Sequence, residues 1–125
     1  MRVGDRLPEW SLPLTPTTIV STAIATRDWQ DVHHDRDVAR AAGSKDIFMN
    51  ILTTNGLVER FVADALGHDR DLKGIAIRLG APAHPYDTLT FTGEVTEIAD
   101  GVAAVAVTGT VSLGVHVTGT VRLTA

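Results

Sequence analysis

After Gly67 the chain changes its period and does not change back. Four segments follow one another there, "LKGIAIRLG", "DTLTFTGEVTEI", "VAAVAVTGTVSL" and "VHVTGTVRLT", and each alternates apolar with polar residues or runs β-branched. Each reads as a strand. Asp100-Gly101 between the second and third is a strong hairpin signal. Ser112-Leu113-Gly114 is a weaker one. A block of strands placed after helices points to an α+β fold with a mainly antiparallel sheet.

Only one upstream segment is long enough to cover such a sheet. In "DIFMNILTTNGLVERFVADALG" the apolar residues Ile51, Leu52, Val58, Phe61, Val62, Ala65 and Leu66 recur at helical spacing. Asp46 is the expected cap at its start and Gly67 at its end. Gly56, inside the helix, costs about 1 kcal/mol relative to alanine. It is either tolerated or marks a close approach to the sheet. A short helix over 36–42 is expected behind the cap Asp35, stopping at Gly43. The β-branched run "TTIVSTAIAT", residues 17–26, reads as a further strand, and the proline-bearing residues before it as an extended leading segment. One helix covers one sheet face, so the second face is expected to be covered by another subunit.

Composition narrows the function. The chain has 125 residues, which suits a single domain over 1–125, and its 44% apolar content argues against disorder. The net charge is −4 with no basic stripe, so nucleic acid is a poor partner. With no cysteine, disulfides, thiolate catalysis and cysteine-bound zinc are excluded. No signal-peptide core is present, and no apolar run approaches the roughly 20 residues of a membrane helix. The expectation is a soluble, cytoplasmic protein.

Proton-transfer groups gather in "RDWQDVHHDRDVARAAG", residues 27–43, which holds two histidines and four aspartates. Asp28 and His33 can reach one water, as a general base and a general acid near neutral pH. His34 points away from His33 in an extended chain and reads as a solvent-facing or capping group. Asp35 reads as a cap, Asp31 and Asp37 as solvated charges, and Arg27 as a surface residue. His68, His84 and His116 are scattered over other elements, which disfavours a metal site. His116 alternates with Val115 and Val117, so it faces either solvent or an interface. Ser44 lacks the Gly-x-Ser-x-Gly elbow of a serine hydrolase.

Asp28, Val32, His33 and Ala39 in "RDWQDVHHDRDVA", with "GSKDIFMN" and "APAHPYDTLTFTGEV" downstream, resemble the MaoC-like, R-specific enoyl-CoA hydratases. Their motif is Gly-Asp-x-Asn-Pro-aliphatic-His. Arg27, Gln30 and Asp31 depart from it. Met49-Asn50 stands where that family has His-Gly, and Tyr86 where it has Gly. The longer run from Ala25 to Phe61 is similar to the small catalytic subunits of steroid side-chain hydratases within that family. The resemblance implies a hotdog fold, an antiparallel sheet wrapped around one long central helix. It implies Asp28 as base, His33 as acid, and the backbone N–H of Asn50 as donor to the thioester oxygen. Trp29, Phe48, Met49 and Leu52 are the expected pocket residues, by their nearness to Asp28 and His33 in the sequence. No metal or separate cofactor is implied, since CoA belongs to the substrate. The implied partner is a second MaoC-like subunit, in a double hotdog that assembles as a heterotetramer. Lys45, Arg60 and Arg78 are available to CoA phosphates. Two other readings stand beside this one: a thioesterase using Glu59, and a non-catalytic acyl-CoA-binding or assembly subunit.

Overall fold

The computed structural model describes all 125 residues. The leading segment contributes strand β1, Trp10–Pro13. The four β-patterned segments form β2, Leu72–Leu79, β3, Thr88–Ala99, β4, Val102–Val111, and β5, Gly114–Thr124. Together they make one five-stranded sheet in the order β1-β3-β4-β5-β2, with every pairing antiparallel. Asp100 and Gly101 take φ of 53° and 75°, the left-handed pair that a tight hairpin requires. Pro13 ends a strand at the sheet edge, where its missing N–H removes no interior ladder bond.

Helix α3, Ile51–Leu66, lies in the concave face of this sheet, the hotdog arrangement. Its buried stripe is Thr53, Thr54, Val58, Phe61 and Val62. Phe61 stacks on Phe91 of β3 at 5.6 Å, and Phe91 stacks on Trp10 of β1 at 5.5 Å. These aromatic contacts tie the helix to the outermost strand on that side. The convex face carries Thr92, Glu94, Thr110, Thr118 and Arg122, all exposed. That face is polar, as expected for an antiparallel sheet with one wet side, and it needs no second subunit to cover it. The chain leaves open the edge of β2, one of the two sheet edges, and exposed apolar side chains that include Trp29, Ile51, Leu52 and Leu79.

Two expected boundaries change. Residues 17–26 are not a strand. Pro16–Ala25 form helix α1, capped by Thr15, whose side chain accepts from the Thr18 N–H, with proline in the first turn. Thr22 and Thr26 return their hydroxyls to carbonyls four residues back, at 2.7 and 2.8 Å, so the β-branched residues are accommodated inside a helix. α3 starts at Ile51 behind the cap Asn50, not at Asp46. Asp46 instead accepts from its neighbour Ile47 N–H and pairs with Arg36 at 3.6 Å, and residues 47–50 run without helical turns. The short helix α2, Arg36–Ala41, forms behind Asp35 as expected. No helix is long and apolar enough to cross a membrane.

Gly56 does not mark a close approach, since a methyl group added there would meet nothing within 4 Å. Gly56→Ala is therefore expected to raise the stability of the chain by about 0.5–1 kcal/mol in urea denaturation. A lower midpoint would show that this helix face is occupied.

His116 is buried because of a bulge. The β4–β5 register shifts between Gly109 and Thr110, so Gly109 pairs with Val117 and Thr110 with Val115, leaving His116 as the extra residue. His116 and Val117 both turn inward, and His116 is only 2% exposed. Its Nδ1 lies 2.7 Å from the Ala81 carbonyl and its Nε2 2.8 Å from Thr54 Oγ1. The carbonyl can only accept, so Nδ1 donates to it and Nε2 accepts from the Thr54 hydroxyl. Burial holds the His116 pKa below the usual histidine range, against the opposing effect of the Ala81 carbonyl. On acidification the unfolded chain binds this proton first, so stability is lost as the pH falls from the ordinary histidine range toward the folded value. Thermal unfolding followed from pH 7.5 downward should show this loss. His116→Gln should lower stability at neutral pH but flatten the dependence, and an unchanged slope would contradict the assignment.

Candidate active site

Asp28 is placed by the end of α1. Arg27 takes the left-handed conformation, φ 57°, and donates its N–H to Ile24 O, while the Asp28 N–H bonds Ala23 O. This pair of bonds is a Schellman ending, with Asp28 the second residue beyond the C-cap Thr26. Arg27 and Tyr86, φ 68°, thus hold left-handed positions that favour glycine, and both stand where the resembled pattern has one.

His33 follows in a 3₁₀ turn, Asp31–His33. Its Nδ1 donates to the Phe48 carbonyl at 2.7 Å, and the ring meets Phe48 edge-on at 5.0 Å. The neutral ring therefore turns an unprotonated Nε2 away from Phe48, and that atom sits 3.4 Å from Asp28 Oδ2. Asp28 Oδ1 accepts from the Gln30 N–H at 3.2 Å, and Oδ2 accepts from Asn50 Nδ2 at 3.2 Å. The Gln30 N–H above all, then the Asn50 amide and the nearby His33, hold this carboxyl below the usual carboxylate range, against partial desolvation. It is ionised at neutral pH and ready to accept a proton.

Asn50 closes the group from the other side. It is 2% exposed and caps α3 by accepting from the Thr53 N–H at 3.1 Å. Its own backbone N–H bonds no acceptor in the chain, as expected at the positive end of a helix. Asp28 and His33 border a cavity of about 400 Å³, and Asn50 lies buried behind Asp28 between the lining residues Met49 and Ile51. Asp28, Gln30, His33 and His116 line its polar side, and Phe48, Met49, Ile51 and Leu79 its apolar side. Such a cavity offers a base, a proton carrier and, beside them, a hydrogen-bond donor for a developing oxyanion.

The structure thus gathers Asp28, His33, Asn50, Phe48 and Met49. It does not bring in Trp29 or Leu52, which are 65% and 52% exposed and do not line the cavity. Sequence nearness to the catalytic pair selected them, and the helix turn carries Leu52 away from the site. Ile51, Leu79 and His116 were missed; the bulge that turns His116 inward leaves no mark in the alternation. Glu59 is exposed and borders a different cleft with His68 and Arg70. The Ser44 hydroxyl donates to the Asp46 carbonyl, away from either ring. None of the three cations considered for CoA lines the cavity. Lys45 borders a separate cleft, Arg60 lies over Trp10 at 5.2 Å, and Arg78 alternates with cavity-lining Leu79 and so faces the other way.

Comparison with known proteins identifies relatives and the family. The chain is 60% identical over 121 residues to the 3-oxo-4,17-pregnadiene-20-carboxyl-CoA hydratase beta subunit of Mycobacterium tuberculosis, covering 97% of this chain and 94% of that one. It superimposes on a chain of the ChsH1-ChsH2 complex from Mycobacterium tuberculosis with a TM-score of 0.96 and 58% identity, over 98% and 97% of the two chains. The (R)-hydratase from A. caviae involved in PHA biosynthesis shares the fold, with a TM-score of 0.90 at 18% identity, over 99% and 96% of the two chains. The MaoC-like domain pattern matches residues 4–117, and the chain belongs to that family.

Proposed function

We propose that this chain is the catalytic subunit of an enoyl-CoA hydratase that adds water to the C17–C20 double bond of a steroid enoyl-CoA in cholesterol side-chain degradation. The observation that carries the reading is the ionised Asp28 carboxylate 3.4 Å from His33 Nε2, beside the free N–H at the head of α3. The similarity to the beta subunit of a pregnadiene-carboxyl-CoA hydratase supports the substrate class.

The reaction balances with these groups alone. Asp28 takes a proton from water as the hydroxyl oxygen bonds to the β-carbon. The π electrons move to the thioester oxygen, where the Asn50 N–H meets the developing charge. The proton held by Asp28 crosses to His33 Nε2, and Nε2 then delivers it to the α-carbon. The Nδ1–H donates to the Phe48 carbonyl throughout, so the ring cannot turn. The net change is one water added across the bond.

A second MaoC-like subunit completes the site in this reading, within a heterotetramer. The ChsH1-ChsH2 complex supports it. So do the free β2 edge and the apolar residues left open near the cavity. Such a partner also supplies the cations for CoA. Residues 1–125 act as one domain, and a CoA thioester substrate suits a cytoplasmic location. The thioesterase reading has less support, because its carboxylate candidate, Glu59, lies outside the cavity.

Asp28→Ala or His33→Ala is expected to lower turnover by about 10²–10⁴-fold without loss of fold. The double variant should be no worse than either single one, because the two act on one water. Loss of the enoyl-thioester absorbance of a steroid C17–C20 enoyl-CoA, with and without the second subunit, measures this. Wild-type rates in both single variants would overturn the assignment. Glu59→Gln should keep the wild-type rate, and free CoA thiol should not appear.

A further inference from the structure

Every hydrogen-bonding position of the Asn50 amide is used. Oδ1 accepts from both the N–H and the hydroxyl of Thr53. Nδ2 donates to Thr26 Oγ1 at 2.8 Å and to Asp28 Oδ2 at 3.2 Å. The Thr53 N–H can only donate, which fixes the orientation of the amide: its oxygen faces the helix and its nitrogen faces the carboxylate. Serine, threonine or aspartate would cap the helix as well. A hydroxyl has one hydrogen and cannot donate to Thr26 and Asp28 together, and aspartate has none to give and would set two carboxylates face to face. Helix capping alone therefore does not account for this side chain.

We propose that the Asn50 side chain is a positioning residue that locks the Asp28 carboxylate to the head of α3, so that base and oxyanion donor hold one fixed separation. The Gln30 N–H holds one carboxylate oxygen and Asn50 the other, so the group cannot rotate about its own axis. Thr26, at the end of α1, takes the second amide hydrogen and ties the other helix end to the same point. The part of this proposal that concerns catalysis rests on the hydratase reading above; the effect on Asp28 does not. The ionisable groups facing Asp28 across the cavity are His33 from the 3₁₀ turn and His116 from β5, and no other ionisable residue lines it.

The test is the titration of the Asp28 carboxyl, followed by NMR in the full chain with ¹³C-labelled aspartate and assigned with Asp28→Asn. In Asn50→Ser, which keeps a cap, Asp28 should titrate at higher pH than in the wild type. A wild-type titration in that variant overturns the proposal. Should Asn50→Ser fail to fold, Asn50→Thr keeps a capping hydroxyl and is read in the same way. Turnover gives a second readout. Asn50→Ser should lower kcat on the order of 10-fold or more, with KM little changed. Asn50→Asp should be slow at neutral pH and gain on Asn50→Ser as the pH falls, because a protonated carboxyl donates again. Parallel pH profiles for the two variants would contradict the proposal. A shifted titration in a chain that never hydrates the substrate would keep the positioning role and remove the hydratase reading instead.

Discussion

Two helix ends meet at Asn50, and the rest of the site depends on that meeting. The Schellman ending of α1 launches Asp28. The capped start of α3 presents the Asn50 N–H. One amide joins them, bonding Thr26 and Asp28 on one side and Thr53 on the other. Helix ends are where backbone donors and acceptors lack partners. In the proposed mechanism, the carboxylate at the end of one helix serves as the base and the free donor at the start of the other as the oxyanion site. The segment 47–50 then supplies the carbonyl that orients His33. A further histidine, His84, holds the preceding carbonyl at Ile47 with its own Nδ1, so the short extended segment is anchored at successive residues.

The sheet explains why the site sits at one end of α3. Phe61, Phe91 and Trp10 fasten the middle of the helix to β3 and β1. The His116 bulge fastens its first turn to β5 and to the strand exit at Ala81. Between these anchors the head of the helix cannot slide along the sheet. The convex face stays polar, and exposed Ile51 and Leu79 border the cavity. In this account the second subunit serves the substrate site and the β2 edge, and the sheet face has no need of it.

Much of this was legible in the residues. The four alternating segments, the Asp100-Gly101 hairpin and the Asp35 cap each follow a local rule that tertiary contacts do not override. The Asp28–His33 spacing was legible as chemistry, but the resemblance gave it its context. α1 was misread because its β-branched content outweighed a better signal, Thr15 followed by proline, a cap and first-turn pair. Asp46 and Asn50 are both good cap residues, and only the long-range bonds to Thr26 and Asp28 single out Asn50. His116 was unreadable in principle from alternation, since a bulge breaks the period at that residue. Trp29 and Leu52 failed for a different reason: closeness in sequence is not a shared face.

The most direct test of the central claim follows the atoms of water. A steroid C17–C20 enoyl-CoA is incubated with the chain and its MaoC-like partner in H₂¹⁸O, and separately in D₂O, and the products are read by mass spectrometry. The account predicts one ¹⁸O at the β-carbon and one deuterium at the α-carbon, with the thioester intact. An ¹⁸O found in a free carboxylate alongside CoA thiol, or no isotope in the acyl-CoA at all, would contradict it.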